Sequence, residues 1–237
     1  MLRRFRQCLA LKSVYEHVEK NASFINFKQD NRLLIFFEKS NGKIDWIHNL
    51  KFLAVPTKPY KDMDKGGWFC HRGFLKVWKI IEKHLKDDIM NPEVTEIEIV
   101  GYSHGGAVAQ LCYEYVRYNR PDVQVLGWGF GAPRVYWGKI NKEVKKRFEG
   151  FFIIRNGKDA VTHLPPKIFG YKDVCRILEV GRHWIYDDFK RSVERKGLIQ
   201  AIKDGDHFRS IKDHYPERYF EALEDFDDIM YDEEDAS

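Results

Sequence analysis

The most constraining feature of the sequence is the run Ile97-Glu98-Ile99-Val100-Gly101-Tyr102-Ser103-His104-Gly105-Gly106-Ala107-Val108-Ala109. Its branched apolar start reads as a buried strand, and the pattern from Ser103 to Tyr118 reads as a helix. Between the two, the chain has to turn within a few residues. Gly101 and Gly105 meet that demand, because a side chain at either position collides with the adjacent strand or helix. The turn presents the Ser103 hydroxyl at a sheet edge and aims the first N–H groups of the helix at developing negative charge.

The rest of the chain agrees with such a setting. Runs with strand character cover Ser23 to Phe27, Leu33 to Phe37, Val94 to Val100, Val123 to Phe130, Phe151 to Ile154 and Val174 to Val180. Helical patterns cover His71 to Lys86, Ser103 to Tyr118 and Tyr136 to Phe148. This alternation predicts an α/β fold, a mostly parallel central sheet flanked by helices, with reactive groups gathered at the carboxyl ends of the strands. Residues 2 to 19 place Phe5, Leu9, Val14, Tyr15 and Val18 at helical spacing among basic residues. They are expected to form a packed helix, with a membrane-surface helix as the alternative. There is no internal repeat, so residues 1–220 are read as one domain and residues 221–237 as a flexible acidic tail.

Charge divides the chain at the same point. Of 40 Lys and Arg, all lie before residue 221, while nine of 36 acids lie after residue 220, which leaves a basic body able to attract anionic surfaces. Nucleic acid is not an expected partner, since the basic residues are dispersed among acids and no recognised binding motif is present. The longest stretch without Asp, Glu, Lys or Arg, Ile99 to Tyr113, falls short of the ~18 residues of a membrane-spanning helix. Only Gln7-Cys8-Leu9-Ala10-Leu11 separates Arg6 from Lys12, too short for the apolar segment of a signal peptide. Cys8, Cys70, Cys112 and Cys175 have no metal-type spacing and are expected to be reduced thiols. These features together predict a cytoplasmic or otherwise intracellular location and no metal.

A serine hydroxyl needs a base to take its proton, and the base needs a partner to fix its tautomer. Asp159, just beyond the Phe151 strand, is the candidate acid, although the Asn156-Gly157 pair before it also suits an ordinary turn. Nine histidines compete for the base. His104 is bound to the serine's own turn and His163 lies close to Asp159, whereas His183, His207 and His214 all follow the acid. His214 stands at a loop-to-helix junction, but the residues alone leave the choice open.

With these residues in view, the chain resembles the class 3 (fungal-type) lipases of the α/β-hydrolase fold across about residues 20 to 220. The matching segments are Ile35 to Ile47 with its Asp45-Trp46, His71-Arg72-Gly73-Phe74-Leu75, the serine motif, Phe130-Gly131-Ala132-Pro133-Arg134, Asp159 to Pro166, and Asp213-His214 followed by Tyr219. The resemblance implies a Ser103, Asp159 and His214 triad in an ester or lipid hydrolase that needs no cofactor. It also implies an oxyanion hole formed by Ser40 and the N–H of His104, and over residues 43–52 either an amphipathic lid or a surface helix packed permanently on the body. Glu38 and Lys39 replace the family's usual arginine and glycine, and the usual Gly-His-Ser-Leu-Gly becomes Gly-Tyr-Ser-His-Gly. A phospholipase, a thioesterase and a non-catalytic protein that keeps the fold share these features.

Overall fold

A computed structural model describes residues 1–11, 16–19, 22–38, 54–56, 69–140, 142–157, 159–181, 184–188 and 212–224. The chain forms α1 (Leu2–Ala10), β1 (Glu16–Glu19), β2 (Ala22–Gln29), β3 (Arg32–Phe37), β4 (Ala54–Pro56), β5 (Phe69–His71) and α2 (Arg72–Ile89). It continues with β6 (Glu96–Tyr102), α3 (His104–Asn119), β7 (Gln124–Phe130), β8 (Tyr136–Trp137), α4 (Lys142–Arg147), β9 (Phe151–Asn156), β10 (Tyr171–Lys172), β11 (Arg176–Gly181) and β12 (Trp184–Asp188). A last helix, α5, covers residues 216–224.

Eight strands form the central sheet in the order β1-β2-β3-β6-β7-β9-β11-β12. The five from β3 to β11 are mutually parallel, and antiparallel strands close both edges. Each parallel crossover needs a covering element, which α2 and α3 supply on one face. Phe74, Trp78, Ile81, Leu85 and Ile89 form the buried stripe of α2, and the His71 side chain caps its start by accepting from the Gly73 N–H at 3.1 Å. The opposite face carries a second core, in which Leu2, Phe5 and Cys8 of α1 meet Tyr219, Ala222 and Leu223 of α5 over Val100, Phe130 and Ile154. A smaller antiparallel sheet, β10-β8-β5-β4, stands beside the main one.

This is the α/β architecture expected from the alternation of patterns, with three local corrections. The N-terminal helix ends at Ala10, and residues 16–19, expected to continue it, pair with β2 as an edge strand. The helix expected over Tyr136 to Phe148 is a two-residue strand followed by α4, because Tyr136 and Trp137 bridge β5 and β10. At residues 16–19 the adjacent strand of a hairpin, and at Tyr136 two strands distant in sequence, outweigh local helical spacing. The acidic segment expected to be flexible from residue 221 begins as helix, with Ala222 and Leu223 buried in the second core. Residues 225–237 lie outside the described residues.

Candidate active site

Strand β6 and helix α3 meet at Ser103, whose backbone takes φ 57° and ψ −122°. A non-glycine residue there is strained, and the contacts around it hold the strain in place. The Ser103 N–H donates to the Phe130 carbonyl at 2.8 Å, and its own carbonyl accepts from Ala107 in the first turn of α3. A Cβ on Gly101 falls 2.3 Å from the Gly105 carbonyl oxygen, and one on Gly105 falls 2.3 Å from that of Phe37. Glycine at both positions therefore lets the helix start press against β6 and β3 together.

Two further segments bring their side chains to this serine. The His214 Nε2 lies 2.8 Å from Ser103 Oγ, and its Nδ1 lies 2.7 Å from Asp159 Oδ2. An ionised carboxylate only accepts, so Nδ1 carries the proton and Nε2 is left free to accept from the serine hydroxyl. Asp159 is fully buried and its other oxygen accepts from the Val161 N–H at 2.8 Å. The Tyr219 hydroxyl donates to Asp159 Oδ2 at 2.7 Å and accepts from the Asn156 N–H at 3.3 Å. Burial and the Asp159 charge push the Tyr219 phenol well above its ordinary range, which keeps it a donor.

His214 is also held from behind. The Tyr102 ring stacks on the imidazole with centroids 5.2 Å apart and planes 19° apart, and the Tyr102 hydroxyl donates to the His214 carbonyl. Asn156 Nδ2 donates to the carbonyl of Asp213 at 3.2 Å. Gly131, with φ 57°, sits so close that an added Cβ meets His214 Cε1 at 2.9 Å and Asp159 Oδ2 at 3.1 Å. Phe5 of α1 packs against Tyr102, Phe130 and Tyr219 at 4.9 to 5.6 Å, so the second core backs the site directly.

The acid loop has its own anchor. Arg134 donates to the carbonyls of His163 and Pro165, its N–H donates to the Leu164 carbonyl, and its guanidinium pairs with Asp173 at 3.0 Å. Asp173 also pairs with Arg155 at 2.5 Å and Lys167 at 3.1 Å. Burial alone raises the Asp173 carboxyl, but Arg155, Arg134 and Lys167 outweigh it and hold the group well below the usual carboxylate range.

The site therefore brings together Ser103, Asp159 and His214 from three separate parts of the chain. His104 is the first residue of α3, with its N–H at the helix start and its imidazole packed edge-on to Phe74 at 5.5 Å. Burial, reinforced by His71, pushes that imidazole down to about 4, so it is neutral at ordinary pH. Ser40, residues 43–52, His183 and His207 lie outside the described residues, which reach Glu38 before this gap. His163 turns to Arg134, with Nδ1 3.4 Å from its guanidinium. Sequence reasoning gave no role to Tyr102, Tyr219, Asn156 or Arg134, although Tyr102, Arg134 and Tyr219 stand inside the segments that carry the resemblance. Among the described residues no group of His, Cys, Asp and Glu is arranged to hold a metal.

Residues 34–169 match the family described as Lipase (class 3), a span that contains Ser103 and Asp159 and ends before His214. The chain belongs to the class 3 lipase family. Its relatives include a secreted mono- and diacylglycerol lipase of Fusarium solani, 28% identical over 134 residues, or 54% of this chain and 38% of that protein. A lipase of Rhizomucor miehei is 25% identical over 185 residues, 74% of this chain and 48% of that protein. A secreted mono- and diacylglycerol lipase of Malassezia globosa is 28% identical over 141 residues, 56% of this chain and 43% of that protein. The chain thus spans less than half the length of each of these relatives.

Among solved structures, a triacylglycerol lipase described as having a serine protease triad at its catalytic centre superposes with TM-score 0.68 and 20% identity, over 84% of this chain and 77% of that one. Rhizomucor miehei triacylglyceride lipase gives TM-score 0.68 and 19% identity over 85% and 78%. Both carry the expected α/β-hydrolase fold. The expected intracellular location is overturned, since two relatives of this lipase-family chain are named as secreted. None of the four cysteines is in a disulfide, all four are buried, and burial pushes Cys70, Cys112 and Cys175 upward. Buried neutral thiols of this kind are inert and report nothing about the compartment.

Proposed function

We propose that this chain hydrolyses carboxylic esters of lipids through Ser103, His214 and Asp159. The observation that carries the reading is the continuous hydrogen-bonded line from Ser103 Oγ through His214 to Asp159, beginning at a strained serine on a helix start. His214 Nε2 takes the hydroxyl proton as Ser103 Oγ attacks the ester carbonyl carbon. The Nδ1–H stays on the imidazolium and Asp159 balances its charge. The His104 N–H, with Ser40 as the second donor, receives the oxyanion, and one such donor is worth about 2.7 to 4 kcal/mol of transition-state stabilisation. Collapse breaks the bond to the alcohol, which leaves with the proton from His214. Water then repeats the sequence on the acyl-serine, giving the free acid and restoring the serine.

The named relatives support acylglycerols as the substrate class and an extracellular setting. The test is exposure of the purified protein to a fluorophosphonate, followed by peptide mass analysis and assay on a short-chain ester. Adduct mass at Ser103 with loss of hydrolysis supports the reading; an unlabelled serine and no ester cleavage defeats it.

A further inference from the structure

Among the described residues most large apolar side chains are buried, and two of the most exposed are neighbours. Ile168 is 88% exposed and Phe169 is 54% exposed on one tight turn. That turn is fixed: the Trp137 indole N–H donates to the Phe169 carbonyl at 2.6 Å, and Trp137 meets Phe69, itself 37% exposed, edge-to-face at 5.5 Å. Phe69 and Trp137 are also cross-strand partners in the small sheet. The four residues therefore make one rigid apolar knob, and contiguous exposure of that kind marks an interaction site.

The surroundings of the knob select the occupant. Segments 69–72, 136–140 and 164–172 carry Arg72, Lys139, Lys167 and Lys172 and no carboxylate. Lys139 and Lys172 are exposed, while Lys167 spends part of its charge on Asp173. An apolar tip with an indole and flanking cations fits a lipid surface with negative head groups, where the tip enters the acyl boundary and the lysines meet the charge.

We infer that Ile168, Phe169, Trp137 and Phe69 form a lipid-docking knob, with Lys139 and Lys172 as its contacts to anionic head groups. The knob belongs to the loop that carries Asp159. Ile168 stands nine positions after Asp159, at most about 32 Å of extended chain. Arg134 clamps the segment between them at His163 and Pro165, so docking fixes how the serine site faces the lipid. The inference rests on the lipase reading only for what happens after docking; the attachment itself needs no catalysis.

The experiment measures co-sedimentation of the S103A protein with vesicles of phosphatidylcholine alone and with about one-third phosphatidylserine. The double variant I168S/F169S is expected to bind both vesicle types at least about tenfold more weakly, as removal of two inserted apolar side chains requires. The variant K139E/K172E is expected to lose binding to the phosphatidylserine vesicles alone, in a salt-dependent way. In the Ser103 background I168S/F169S should keep fluorophosphonate labelling and hydrolysis of a soluble short-chain ester, so failure of docking and failure of the lipase reading remain separable. Equal vesicle binding by S103A with and without I168S/F169S overturns the proposal. So does a shift of elution volume in gel filtration without a change in vesicle binding, which assigns the knob to contact between copies of the chain.

Discussion

Tyr219 donates to the same oxygen of Asp159 that faces His214, with both contacts at 2.7 Å. The carboxylate is thereby held from the side as well as from the front, and its plane is set by a residue five positions beyond the histidine it serves. Y219F removes one charge-assisted hydrogen bond, of the order of 1.5 to 3 kcal/mol when fully expressed. With part of that felt in the transition state, kcat on a soluble ester is expected to fall about tenfold with KM unchanged, and steady-state kinetics of the two proteins check it.

Ser103 pays for its position in backbone strain of about 1 to 3 kcal/mol. S103G relieves that strain at some cost in unfolded-state entropy, whereas S103A keeps it. Both variants are expected to be inactive. Only S103G should be more stable, by about 1 kcal/mol, in urea unfolding.

The cluster at Asp173 is buried and holds two guanidinium groups with side chains 2% and 3% exposed. D173N removes the carboxylate that Arg134 and Arg155 share and leaves Arg155 to Glu179 at 3.6 Å, and breaking a buried pair is typically worth about 3 to 5 kcal/mol. Thermal unfolding of D173N should show a correspondingly large drop in Tm.

The pH dependence of stability separates two groups. The folded pKa of His104, about 4, lies below its ordinary 6.5, so the unfolded chain binds the extra proton between these values. Stability from this residue is complete above pH 6.5 and is lost as pH falls toward 4, by about 3 kcal/mol in all. Asp173 is also depressed, but its window begins near the ordinary carboxylate value and runs lower. H104L should therefore flatten the limb between pH 6.5 and 4, and D173N should keep it; denaturant midpoints across that range decide the matter.

The serine turn was legible because its constraints are local: Gly101 and Gly105 are needed within a few residues of Ser103. Asp159 and His214 were harder, since four histidines follow the acid and only the resemblance in their flanking residues favoured one. Nothing in sequence order brings Tyr102 to His214, 112 positions away, or Arg134 to Asp173, 39 positions away. Such contacts exist only once the sheet has set which strand ends are neighbours. The same reason explains the failed helix at Tyr136, whose aromatic spacing suits a helix until β5 and β10 offer a better partner.

The packing of α1 on α5 has a consequence for biosynthesis. Phe5 lies 5.6 Å from Tyr219 and 5.0 Å from Phe220, and Arg6 reaches Glu224 at 3.7 Å. Helix α1 thus waits for a helix made more than 200 residues later before its apolar face is fully covered. Because α5 follows directly on His214, that same late docking event delivers the base to the serine. On the proposed mechanism the serine stays unarmed until these two helices close on each other.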